Sequence, residues 1–260
     1  MIIQTEAELN KYRQAAKIAT LILEQLRLAV KVGVTSLEID QLAFELCKKH
    51  GAKPNFVGVG ERHNLYKHAT CISVNDTVLH GIPSSVPFKN GDIVKLDFGL
   101  EYQGLNTDHC CTVGVGNFLT PADEKLVKVA QTAIQAAAHL AIAGNRTGDL
   151  GEVIQRITKQ AGFQVVKEFV GHGIGKTLHE EPSLPAFGKA HTGSLLKKGM
   201  VVCVEAQVLT GSDQIYQLKD GWTIKTRDGG KSAMFEYMVV VGETEPEFLT
   251  QTLDWPVIAK

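Results

Sequence analysis

The chain has 260 residues, 44% of them hydrophobic, and its 27 basic residues almost balance 28 acidic ones. That length allows one large domain or two small ones around a substantial core. The charge balance removes the electrostatic case for nucleic acid or an anionic membrane as the main partner, and a small or peptidic substrate fits better. The five cysteines, Cys47, Cys71, Cys110, Cys111 and Cys203, form no C-x-x-C pair. This argues against a zinc knuckle and a disulfide framework and predicts reduced thiols. The opening MIIQTEAELNKYRQAAK is charged and helical in pattern, and no run of about 18 apolar residues follows, so the expectation is a cytoplasmic protein without membrane contact.

From Glu6 to about Lys31, Ile18, Leu21, Ile22, Leu26 and Ala29 recur at helical spacing, and Gly33 marks the stop. Thr35 and Ser36, with Glu38 close behind, open a second helix that carries Leu42, Phe44 and Leu46 and ends at Gly51. Thr70 to Val74, Asp92 to Gly99 and Asp108 to Gly114 then read as strands. The same grammar returns. Pro121 opens a helix through Val127, Ala130, Ile134 and Ala138 to Gly144, and Thr147 and Asp149 start another with Val153, Ile154 and Ile157 that ends at Gly162. The remaining strand candidates are Val165 to Val170, Gly199 to Leu209, Thr223 to Lys225 and Ser232 to Val241.

Thr35 to Thr147 and Gly51 to Gly162 are offset by about the same distance, and no Ser/Pro linker or charge block separates the halves. The pattern predicts one domain over residues 1–260, duplicated internally as about 1–120 and 121–260. Its fold class is α+β, with a curved, mostly antiparallel sheet and helices on its outer face.

Asp97, Asp108, His172, Glu205 and Glu236 lie far apart in sequence, each within or beside a strand candidate. Four carboxylates brought together repel unless positive charge lies between them, and two divalent cations would balance them. The single imidazole separates this set from an all-oxygen calcium or magnesium cage and points to cobalt, manganese, iron or zinc. Paired metals of that kind activate water for hydrolysis. Strand periodicity puts Asp108 on one face with Cys110 and Thr112, and Glu236 with Met234 and Met238. The segment VGHGIGKTLHEEP places His172 and His179 in a Gly-rich stretch that a ligand can approach closely. It is no phosphate loop, because the spacing before Gly175-Lys176 is one residue short and Pro182 and Pro185 follow too soon for a helix.

The hairpin DFGLEYQGLNTD, the stretch GHGIGKTLHEEP, Glu205 after an apolar run, DGWTIKTRDGGKSAMFEY, and upstream CISVNDTVLHGIP together resemble the type I methionine aminopeptidases. The resemblance runs from the first helix to Val241. It implies the pita-bread fold, a curved sheet covered by two pseudo-symmetric helix pairs, and removal of N-terminal methionine from peptides and nascent proteins with a small second residue. It also implies that Asp97, Asp108, His172, Glu205 and Glu236 hold two divalent metal ions, with Glu205 doubling as proton shuttle. His179 would donate to the scissile carbonyl, and His80 would sit near the scissile nitrogen.

The same resemblance implies a methionine pocket lined by Tyr66, Cys71 and Trp222, with His63 and Leu178 standing where relatives carry aromatic residues. Asn75, Thr77 and Ser232 match positions that hold a monovalent cation in relatives. Ala206 and Tyr237 replace the proline and histidine that commonly follow the last two acidic ligands; neither change removes a ligand. His50, His68, His109, His139 and His191 read as ordinary strand or surface residues. The partner is expected to be a peptide or nascent-chain N-terminus, with the ribosome nearby and the protein a monomer. The competing readings are a prolidase or aminopeptidase P, which share the fold and ligands, and a non-catalytic binding protein of the same fold.

Overall fold

A computed structural model describes residues 1–116 and 120–259. In chain order the elements are α1 (Glu6–Ala29), α2 (Ser36–Lys49), β1 (Lys53–Pro54), β2 (Thr70–Val74), β3 (Thr77–Leu79), β4 (Ile93–Tyr102) and β5 (Leu105–Val115). There follow α3 (Pro121–Ala138), α4 (Thr147–Gln160), β6 (Gln164–Val165), β7 (Gly171–Gly173), β8 (Glu180–Leu184) and β9 (Val201–Leu209). The last are β10 (Ile215–Gln217), β11 (Ile224–Thr226), β12 (Ser232–Val240), β13 (Glu247–Phe248) and β14 (Ile258–Ala259).

Local chemistry explains the helix starts. Thr5 with Glu8 and Thr35 with Glu38 form capping boxes, in which each threonine hydroxyl accepts from the third helical amide and each glutamate accepts from the cap amide. At α4 the cap residue is Arg146 rather than Thr147, because the Asp149 carboxylate accepts from the Arg146 amide at 2.7 Å. Helix α3 stops at Ala138, short of Gly144. Beyond it the amides of Ala143 and Gly144 donate to Gly242 and Leu196 instead of continuing the helix.

The main sheet runs β1-β4-β5-β12-β9-β7-β8, with β2 on β4, β6 on β9 and β13 on β12, all antiparallel, and β14 parallel to β5. A small sheet, β10-β11-β3, stands beside it. The expected strand Val165 to Val170 splits: only Gln164–Val165 pairs with β9, the charged Lys167 and Glu168 interrupt, and pairing resumes at Gly171.

Alternate residues of the central strands face the helices. Leu96, Phe98, Cys111, Val113, Val204, Ala206, Phe235 and Tyr237 form one buried cluster with Ile22, Leu23 and Leu26 of α1 and Leu126, Val127, Ala130 and Ile134 of α3. Each such large side chain contributes about 1.5–3 kcal/mol through burial. The intervening residues of the same strands face away from the helices, and that side carries the acidic residues.

Candidate metal centre

The strand register brings the acids together. Cys71 of β2 pairs with Asp97 of β4, Asp97 with Cys110 of β5, Cys110 with Glu236 of β12, and Glu236 with Glu205 of β9, one continuous row across five strands. Directly paired residues share a face with Cβ atoms about 5 Å apart. Asp108 pairs with Gly99, one alternation along from Asp97, and so faces the same way. At Gly99 a Cβ would meet the Thr107 carbonyl at 2.4 Å, so only glycine fits opposite Asp108. His172 in β7 pairs with Cys203, two residues before Glu205. All five sequence-predicted ligands therefore converge, although β7 is only three residues long.

The electrostatics of this cluster favour a bound cation. His172 Nδ1 lies 2.9 Å from the Gly173 carbonyl, which can only accept, so Nδ1 carries the hydrogen and Nε2 presents a lone pair. That Nε2 faces Asp108 Oδ2 at 3.8 Å, Glu205 Oε1 at 3.9 Å and Glu236 Oε1 at 4.0 Å. A lone pair aimed at three carboxylate oxygens is repulsive without positive charge between them. Asp97 Oδ1, Asp108 Oδ1 and Glu236 Oε1 are buried and have no hydrogen-bond partner. Burial holds all four carboxyl groups above the ordinary carboxylate range; mutual repulsion adds to this for Asp108, Glu205 and Glu236. Burial also lowers His172, to about 4, which keeps its imidazole neutral.

Ligand atoms of Asp97, Asp108 and Glu236 lie within 4.8 Å of one another, as do those of Asp108, His172 and His179, and of His172, Cys203 and Glu236. This oxygen-rich set with one or two imidazoles fits divalent ions. The Cys203 thiol, raised by burial and then by Glu236, stays protonated and is the poorer donor.

A cavity of about 530 Å³ opens beside these residues and is lined also by His80, His179, Tyr66, Cys71, Leu178 and Trp222. Phe56, Tyr66 and Cys71 pack as an apolar cluster with Ile82, Leu178 and Trp222 against it, and the Tyr66 and Trp222 rings meet edge to face at 5.0 Å. The Tyr66 hydroxyl donates to the Thr70 carbonyl at 2.8 Å, which points its polar end out of the pocket. His179 stands 4.5 Å from His172, ring to ring, at the mouth. His80, in left-handed backbone conformation at φ 53°, packs edge-on to Phe169 at 5.5 Å.

His63 does not join the cavity. It sits in a polar turn with its side chain 79% exposed, 3.5 Å from Glu61. At the expected monovalent site the oxygens already have protein partners. The Asn75 carbonyl already accepts from Lys95 Nζ at 2.9 Å and from Ser232, whose hydroxyl also reaches the Thr77 carbonyl.

Sequence reasoning missed Phe56, Phe169, Gln207 and Lys95. Gln207 Nε2 donates to Glu205 Oε2 at 2.9 Å, and its spacing of two residues from Glu205 was the available signal. Lys95 carried the same signal, as a lone cation two residues before Asp97 in an apolar strand. Phe56 lies in a loop with no periodicity to betray it.

Residues 10–243 match the family model described as metallopeptidase family M24. The chain belongs to that family, on its methionine aminopeptidase branch, and the M24 assignment implies divalent metal binding. It is 40% identical over 250 residues to "Methionine aminopeptidase" of Clostridium perfringens, covering 96% of this chain and 98% of the relative. The crystal structure of methionine aminopeptidase from Thermotoga maritima superposes with a TM-score of 0.91 at 38% identity, covering 96% of this chain and 99% of that one. A prolidase from Pyrococcus furiosus shares the fold at a TM-score of 0.75, but at 22% identity and with 66% of its chain covered. The α+β pita-bread architecture expected from the motifs is thus the observed one. Among the described residues no helix is long and apolar enough to cross a membrane.

Proposed function

We propose that this protein hydrolytically removes the N-terminal methionine from peptides and nascent proteins, with a small residue preferred second. The observation that carries the reading is the row of carboxylates facing the His172 lone pair beside an apolar pocket of side-chain size. Asp97, Asp108, His172, Glu205 and Glu236 hold two divalent ions, drawn from cobalt, manganese, iron or zinc. When bound, such ions supply Lewis-acid activation of water and of the scissile carbonyl.

The protein's own residues do the rest. Glu205, fixed at one oxygen by Gln207, accepts a proton from the attacking water and passes it to the leaving amine. His80 and His179 are both lowered by burial, His80 to about 4, so each is a neutral imidazole with one N–H. His179 donates to the carbonyl oxygen as charge develops there, and His80 orients the peptide near the scissile nitrogen. Tyr66, Cys71, Leu178 and Trp222 enclose the unbranched, polarizable methionine side chain, and Phe56 extends their wall.

The whole chain acts as a single catalytic domain built by duplication, with α1–α2 and α3–α4 as the matching helix pairs. It works as a monomer in the cytoplasm, on chains emerging from the ribosome. A panel of X-Ala-Ser and Met-X-Ser tripeptides on metal-loaded protein tests the reading. Met-Ala-Ser and Met-Gly-Ser are cut, whereas Lys-Ala-Ser and Met-Leu-Ser are not. Cleavage of X-Pro substrates with Met-Ala-Ser untouched would replace this reading with a prolidase-like one.

A further inference from the structure

A lysine amine already stands where the family resemblance expects a monovalent ion. Lys95 lies in the middle of β4 and is only 1% exposed. It is flanked in the sheet by Ser73 and Thr112 and is two residues from Asp97 on the same face. Its Nζ donates to the Asn75 carbonyl at 2.9 Å. The same carbonyl accepts from Ser232 N at 3.0 Å and lies 3.1 Å from Ser232 Oγ, which is also 3.1 Å from the Thr77 carbonyl. A carbonyl oxygen has two lone pairs, so these protein donors leave no vacant coordination position on it.

We propose that the Lys95 side chain is a built-in replacement for the monovalent cation, so that this protein neither binds nor needs sodium or potassium at the Asn75–Thr77–Ser232 cluster. The Asn75 carbonyl cannot turn away to meet an ion. Its residue is in left-handed conformation at φ 50°. Its side chain donates to Asp92 Oδ1 at 2.8 Å and accepts from the Ile93 amide at 3.0 Å, and its own amide donates to Ile93 at 2.9 Å. The turn between β2 and β3 is thereby fastened to the start of β4.

Charge around the position is set by the neighbouring Cys110 thiol and by two ion pairs. Asp76 favours a charged Lys95 but is itself paired to Lys225 at 2.7 Å, while Lys231, on Asp123 at 2.9 Å, opposes it. Burial lowers the Lys95 pKa to about 7. An amine donates to Asn75 in either protonation state, so occupation of the site does not depend on that equilibrium. Where a bound ion can dissociate, a side chain cannot. The tie it makes joins β4, which carries Asp97, to the turn that leads through β3 to His80, and so couples the metal centre to the pocket wall.

The test does not rest on the proposed reaction, because its readouts are ion binding and melting. Thallium(I), a potassium mimic, is titrated into the full-length protein by thallium NMR, and melting is compared in potassium, sodium and tetramethylammonium chloride at one ionic strength. Wild-type protein is expected to show no saturable thallium site and the same Tm in all three salts. Lys95→Ala, which frees the oxygens, is expected to melt lower in tetramethylammonium, recover in potassium and take up one thallium ion. Stoichiometric thallium binding by wild type overturns the proposal, as does a folded Lys95→Ala that gains neither thallium binding nor potassium-dependent melting. Should Lys95→Ala not fold in any salt, the wild-type titration alone decides.

Discussion

Removing the divalent ions should make stability fall as pH rises, the reverse of the usual behaviour of carboxylates. Glu205, with its side chain 11% exposed, is raised from 4.5 to about 8 by burial and then by the Asp97 charge. A carboxyl whose pKa is higher folded than unfolded binds its proton more tightly in the native state, so its stabilisation is present below pH 4.5 and disappears as pH climbs through about 8. At about 1.36 kcal/mol per pH unit, this displacement corresponds to roughly 5 kcal/mol lost by pH 9. For a chain of this size that is a Tm drop of roughly 10–20 °C. Thermal melts of chelator-stripped protein from pH 5 to 9 should show the drop, and manganese or cobalt should abolish it. Glu205→Gln, which cannot ionise, should melt with a flatter pH profile when stripped. Parallel pH profiles for stripped and loaded wild-type protein would refute the reasoning, because the carboxylates would then be adequately solvated without metal.

Asp108→Ala and Glu236→Ala should each lower metal stoichiometry and remove most activity, since each takes a buried carboxylate from the shared cluster; calorimetric metal titration reads the first effect and peptide turnover the second. His179→Ala should keep metal stoichiometry and lose on the order of 100-fold in kcat at matched occupancy, because the lost donor acts on the transition state. An equal loss of metal affinity would instead make it a ligand, for which its distance to Asp108 and His172 is short enough. Gly99→Ala should destabilise the protein by about 1–3 kcal/mol in denaturant melts, since its Cβ would meet the Thr107 carbonyl at 2.4 Å and force the β4–β5 hairpin apart. No change in midpoint would show that the hairpin adjusts freely.

Much of the candidate site's make-up was legible in the residues themselves. Helices α1 and α2 were readable because capping threonines and a 3.6-residue apolar period act within one turn of chain. Asp97, Asp108, Glu205 and Glu236 were readable as one group because a strand's two-residue period tells which face each occupies, and a buried acid in an apolar strand needs a partner. What the chain could not reveal locally was the partner. That Cys71, Asp97, Cys110, Glu236 and Glu205 form one row depends on register across five strands, which is set by long-range pairing and by the core packed behind it. The exclusion of His63 from the cavity, the entry of Phe56 and Phe169, and the contact of Lys95 with the Asn75 carbonyl were likewise decided only by tertiary structure. Each joins loops or strands distant in sequence, and no local propensity encodes which of two exposed-looking loop residues will be folded inward. Chemistry that depends on residue type and phase is written along the chain, whereas chemistry that depends on what lies opposite exists only once the sheet has closed.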